Sequence, residues 1–94
     1  MQYVRETLMR RFGAVLVHIE DDIEQFHIGQ FVVHMVEIPG RDSAYITVGT
    51  AAEGLDGRQC GGLLLDIAGT AGLALASREQ DETGASGVLM ARAR

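Results

Sequence analysis

The sequence predicts an α+β fold: an N-terminal helix, a three-stranded antiparallel meander and a second apolar helix laid on the sheet. Three observations carry this. Val4, Leu8 and Phe12 recur every four residues near the start, the spacing of one helical face. Residues 14–50 are rich in β-branched side chains and broken by turn-forming residues, the pattern of short strands. Residues 63–77 are mostly apolar, with Leu64, Ile67, Ala71 and Leu75 on one helical stripe.

The first helix is expected over residues 2–12, with Tyr3 and Met9 broadening its apolar face. Glu6 and Arg10 stand four apart in the order that supports a helix. Gly13 suits a C-cap, and Arg10 and Arg11 suit the negative end of the helix dipole. Residues 14–20 read as a strand with Val15, Val17 and Ile19 on one side and Leu16, His18 and Glu20 on the other. The acidic run Glu20-Asp21-Asp22-Ile23-Glu24 then reads as a turn.

A long strand is expected from Gln25 to Ile38, with Phe31, Val33 and Met35 on one face and Val32, His34, Val36 and Ile38 on the other. Gly29 interrupts it and suggests a bulge. Both faces are apolar, so one would be covered by a helix and the other by the first helix or a second subunit. Pro39-Gly40-Arg41-Asp42 is a turn signal, and Ser43 to Thr50 is the returning strand. Residues 51–62, with Gly54, Gly57, Gly61 and Gly62, read as a loop. For residues 63–77 a mostly β alternative stays open: Gly69 and Gly72 sit inside the stretch, and a hairpin would turn there. Residues 79–87 read as a polar, flexible loop, and Val88 to Ala93 as a last edge strand.

The chain has 94 residues, enough for a single small globular domain spanning 1–94. It is 47% hydrophobic and 22% charged, the balance of a folded protein rather than a disordered one. All eight bases are arginine; lysine, tryptophan and asparagine are absent. The missing lysine excludes a Schiff-base mechanism and a Walker-type phosphate loop. The single cysteine, Cys60, excludes an internal disulfide and makes a reducing compartment the default. No secretory signal or bilayer-length apolar stretch is visible, so a cytoplasmic protein is expected.

The net charge of −5 is unevenly spread. Residues 13–40 hold Glu20, Asp21, Asp22, Glu24 and Glu37 and no base, whereas Arg5, Arg10 and Arg11 lie in the first helix and Arg92 and Arg94 at the other end. An acidic surface repels phosphate backbones and attracts basic partners, which argues against direct nucleic-acid binding.

The leading functional expectation is therefore a non-enzymatic protein-binding module, a small acidic inhibitor or regulator that occupies a basic, nucleic-acid-binding type of surface on another protein. Its expected contact residues are Glu20, Asp21, Asp22 and Glu24, with Arg10 and Arg11 serving self-association: a homodimer placing the first helix against the mate's acidic turn would join opposite charges. No cofactor, membrane contact or catalytic residue is expected.

The alternative is a small metal-dependent or ligand-binding protein or enzyme using His18 and His27, with Glu20 or Asp22 completing a metal site and His34 as a further candidate. In an unbroken strand His27 and His34 face opposite sides, which counts against that set. Cys60 would gain reactivity only at a helix N-terminus. A pocket between the sheet and the glycine-rich loop at 54–62 is a third expectation.

The stretch His27-Ile28, the hydrophobic strand after it, Ile38-Pro39 and Tyr45-Ile46-Thr47-Val48-Gly49 resembles part of the suppressor-of-fused-like domain, which has a similar progression into a Thr-x-Gly strand. The likeness spans residues 27–49 only, in a chain shorter than that domain and without its proline-rich turn. It implies a protein-binding module without catalysis.

Overall fold

A computed structural model of the chain describes residues 2–38, 40 and 42–91. Pro39 and Arg41 of the expected turn, and Arg92 and Arg94, lie outside the described residues, as do the side chains of Gln2 and Tyr3. The elements run α1 (Gln2–Arg11), β1 (Val15–Glu20), β2 (Ile23–Ile28), β3 (Phe31–Glu37), β4 (Ser43–Thr50), α2 (Gly57–Ala71), β5 (Leu73–Gln80) and β6 (Gly84–Ala91). All strands join one antiparallel sheet of six, in the order β1-β2-β3-β4-β6-β5. The mixed α+β character is as expected, but the three-stranded meander is replaced by a four-stranded one extended by a C-terminal hairpin.

α1 forms where the spacing placed it. Val4 and Leu8 are fully buried, while Met9 points to solvent rather than widening the apolar face. The helix closes on Gly13 at φ +65, with the Ala14 N–H donating to the Leu8 carbonyl at 3.0 Å.

The expected long strand 25–38 is two strands. Gly29, at φ +56, opens a two-residue turn with Gln30, and Ile28 pairs with Phe31 across it. A left-handed residue at that turn position matches the twist of a tight hairpin, which glycine adopts without strain. The turn also changes side-chain parity. Glu24, Phe26 and Ile28 share a face with Phe31, Val33 and Met35, so inward positions are even before the turn and odd after it.

The inward face continues through Ala44, Ile46 and Val48 of β4 and Ala85 and Leu89 of β6. α2 packs over β4, β5 and β6 and against α1, so both helices lie on this face. Phe26, Met35, Ile46, Leu64, Ile67 and Leu89 are the largest of its fully buried apolar side chains apart from Leu8. Burial of each contributes roughly 1.5–3 kcal/mol. The opposite face, with Val32, His34 and Val36 half-buried and Tyr45 exposed, has no described helix over it. The expectation that the first helix could cover it is corrected.

α2 begins inside the region expected to be loop. Asp56 caps it: its carboxylate accepts from the N–H groups of Arg58 (2.9 Å) and Gln59 (3.2 Å), and the Gln59 side chain accepts from the Asp56 N–H at 2.9 Å. This reciprocal capping box satisfies donors that would otherwise be orphaned at the helix start. The helix ends at Ala71 on Gly72, whose φ of +71 reverses the chain directly into β5. Residues 63–77 are thus neither one helix nor a hairpin, but the body of a helix followed by a strand.

Residues 79–87, expected as a flexible loop, hold the turn of the β5–β6 hairpin and its flanking strand residues. Asp81 organises that turn, accepting from the Thr83 N–H (2.8 Å), the Thr83 hydroxyl (3.2 Å) and the Gly84 N–H (2.9 Å). The Thr83 bonds first, then that of Gly84, hold its carboxyl below the usual carboxylate range. A carboxyl depressed in the folded state stabilises the fold above its ordinary value, and that stabilisation is lost as pH falls through the folded value. Asp81→Asn should therefore lower the melting temperature near neutral pH. The gap to the parent should close below about pH 4 in a thermal denaturation series. β6 lies between β4 and β5, not at the edge where residues 88–93 were expected.

Candidate functional site

Glu20, Asp21, Asp22, Glu24 and Glu37 lie toward one end of the sheet. Glu20 closes β1 opposite Ile23 of β2, and Asp21-Asp22 form the two-residue turn between them, with Asp21 at φ +53. Aspartate is one of the few residues that accept this conformation. Glu20, Asp21 and Asp22 are all exposed. Asp21 and Asp22 rim a depression of about 450 Å³ that Ile19, Glu24, Glu37 and Arg5 also line.

Glu24 departs from the expected acidic turn. It lies within β2, points inward and is buried, with the Arg5 Nε donating to its Oε1 at 2.5 Å. That bond, more than their attraction as charges, raises the Arg5 pKa further above its already high value. The pair fastens the first half of α1 to β2. It also removes Arg5 from the basic group, leaving Arg10 and Arg11 exposed in the last turn of α1. Of the four acids expected to meet a partner, Glu20, Asp21 and Asp22 thus remain exposed.

The histidines share one face. The register places His18 opposite Gln25 and Gln25 opposite His34, with His27 two residues along β2 from Gln25. The hairpin at Gly29 therefore brings His27 and His34 to the same side, against the expectation from an unbroken strand. They still do not converge. Gln25 stands between His18 and His34, the His27 Nε2 lies 3.4 Å from the Gln25 Nε2, and the His18 Nε2 lies 3.6 Å from the Glu20 Oε2. Among the described residues, no group of three or more His, Cys, Asp or Glu side chains is placed to hold a metal ion.

Cys60 sits in the first turns of α2, as the reactive reading required, but its side chain is fully buried. Burial, followed by the charges of Asp56 and Asp81, pushes its thiol pKa up. That is the opposite of what activates a nucleophile. The pocket expected beneath residues 54–62 is filled by α2, whose Gly57, Cys60 and Gly61 are buried there. No helix among the described residues is long and apolar enough to cross a membrane.

Comparison with protein-family models, curated proteins and solved structures finds no match for this chain. The likeness over residues 27–49 therefore rests on those residues alone and carries no functional argument. The Arg5–Glu24 pair had one readable signal, the change of parity that turns Glu24 inward.

Proposed function

We propose that this chain acts by binding another protein rather than by turnover, its acidic hairpin end received by a basic surface of the kind that otherwise holds nucleic acid. One observation carries the reading: Glu20, Asp21 and Asp22 are exposed together on a tight turn held between two paired strands. Their placement is fixed before a partner arrives, so little ordering entropy is lost on binding. The depression that Asp21 and Asp22 rim has room for an arginine or lysine side chain, and among the described residues the base that lines it, Arg5, is already engaged by Glu24. Such complementarity acts first on the association rate and on selectivity among partners.

The test uses the double variant Glu20→Arg/Asp22→Arg. Asp21 is left alone, because an arginine would be strained at its positive φ. Proteins retained by the immobilised chain from its native host would be purified and titrated against parent and variant. The expected result is a basic protein whose affinity falls about tenfold or more on the double exchange and declines with added salt. A retained partner bound equally by both forms overturns the reading.

A further inference from the structure

β1 is one of the two edges of the sheet, so one side of its backbone has no strand beside it. Proteins usually blunt such an edge with charge, proline or a covering element. The other edge, β5, follows that rule over its second half, with Arg78, Glu79 and Gln80 exposed. β1 has only a bulge at Val17. Val15 on the outer face, Val17 at the bulge and Ile19 on the inner face are 60%, 44% and 56% exposed, and its one acid, Glu20, stands at the very end.

The charges flank this apolar edge asymmetrically. Arg10 and Arg11 end α1 just before β1, and Asp21 and Asp22 follow directly after it. Arg5 reaches Glu24 near the turn, so α1 runs back along the sheet and its two exposed arginines lie at the far end of β1. A six-residue strand spans about 20 Å. That is more than two Debye lengths at physiological salt, about 8 Å each, so within one chain the two groups scarcely feel one another.

We propose that β1 is a self-association edge along which two copies of this chain join antiparallel, with Arg10 and Arg11 of each beside Asp21 and Asp22 of the other. An antiparallel two-fold pairing sets plus against minus at both ends, on strands about 4.8 Å apart. A parallel pairing would set like against like. The bulge that displaces Val17 between Leu16 and His18 limits the added ladder to a few hydrogen bonds. The apolar side chains and the end charges supply the remainder. This proposal goes beyond the function above. It is read on the protein alone, so either can fail without the other, and a basic partner would compete with the second copy for the same turn.

Sedimentation equilibrium over a wide concentration range tests it. The parent chain is expected to dimerise, more weakly as salt rises. Arg11→Glu and Asp22→Arg should each weaken the dimer about tenfold, and the combined exchange should recover most of that loss by restoring opposite charges in swapped order. Val17→Lys should weaken it similarly by placing a charge on the edge. Tyr45→Lys, on the uncovered sheet face, should leave it unchanged. All these positions are exposed, and the rescue by the combined exchange separates a lost contact from a lost fold. A parent chain that stays monomeric throughout overturns the proposal. So does a dimer that ignores the charge exchanges and Val17→Lys, or one that only Tyr45→Lys disrupts.

Discussion

Gly57→Ala is expected to destabilise the fold by about 2–3 kcal/mol, although alanine is the better helix former. A Cβ at this first helical position would run into the backbone carbonyl of Asp81 and lie near that of Gly84. Neither carbonyl can yield cheaply. The Gly57 N–H donates to the Glu82 carbonyl at 2.9 Å, and the Asp81 N–H donates to the Gly84 carbonyl at 3.0 Å. Moving the turn away would break those bonds and loosen the start of α2 together with the β5–β6 hairpin. Gly62, in the same helix, is exposed, and a Cβ there meets nothing within 4 Å. Gly62→Ala should therefore stabilise by about 0.5–1 kcal/mol. Urea denaturation of the two variants reads both signs. A neutral Gly57→Ala would show that α2 does not seat on the hairpin as described.

Phe26→Ala should cost about 3–5 kcal/mol, the range for an aromatic side chain removed from a core. That is a large part of the whole stability of a small domain, about 5–15 kcal/mol. Phe26 is fully buried, opposite Val33 of β3 and Leu16 of β1. Its neighbour His27 is exposed on the other face, and His27→Ala should stay within about 0.5 kcal/mol of the parent. The pair of denaturation midpoints tests the inward and outward assignment of β2 at adjacent positions. Equal effects would mean that the strand is turned differently.

The parts that could be read in the sequence are those governed by local periodicity. α1 and β4 follow from spacing alone, as do the bounds of β1 but not its faces: the bulge at Val17 sets Leu16 and Ile19 inward together, opposite Phe26 and Glu24, where strict alternation would part them. The acidic turn between β1 and β2 follows from the charge map. The split between β2 and β3 was hidden because Gly29-Gln30 lacks the Asn-Gly or Asp-Gly composition that marks a tight turn most clearly. A trace was present all the same. The inward apolar positions run 26, 28, then 31, 33 and 35, and the gap of three is the parity change that a two-residue turn imposes. The start of α2 was likewise written in Asp56 and Gln59, a capping-box spacing ahead of an apolar run, and was masked by the glycines around it. The insertion of β6 between β4 and β5 had no local sign, because strand order is decided by which edges lie open once α2 has crossed the sheet. At the candidate site, Glu20, Asp21 and Asp22 were legible as a charged turn. The inward role of Glu24 was legible only through that same change of parity, since it depends on the face that the hairpin assigns.

The central position of β6 bears on how the chain is made. Synthesis delivers β1 to β4 in order, and each can pair with the strand before it as it emerges. β5 then appears with no strand to join, because both its partner and the far side of β4 wait for residues 84–91. Until those residues leave the ribosome, α2 has half a platform, and the apolar inward side of β4, with Ala44, Ile46 and Val48, is open along one margin. β6, made after the other five strands, is the one that locks the two halves of the sheet together. A nascent or prematurely ended chain lacking it would be a substrate for chaperones and proteases rather than a smaller version of the same protein.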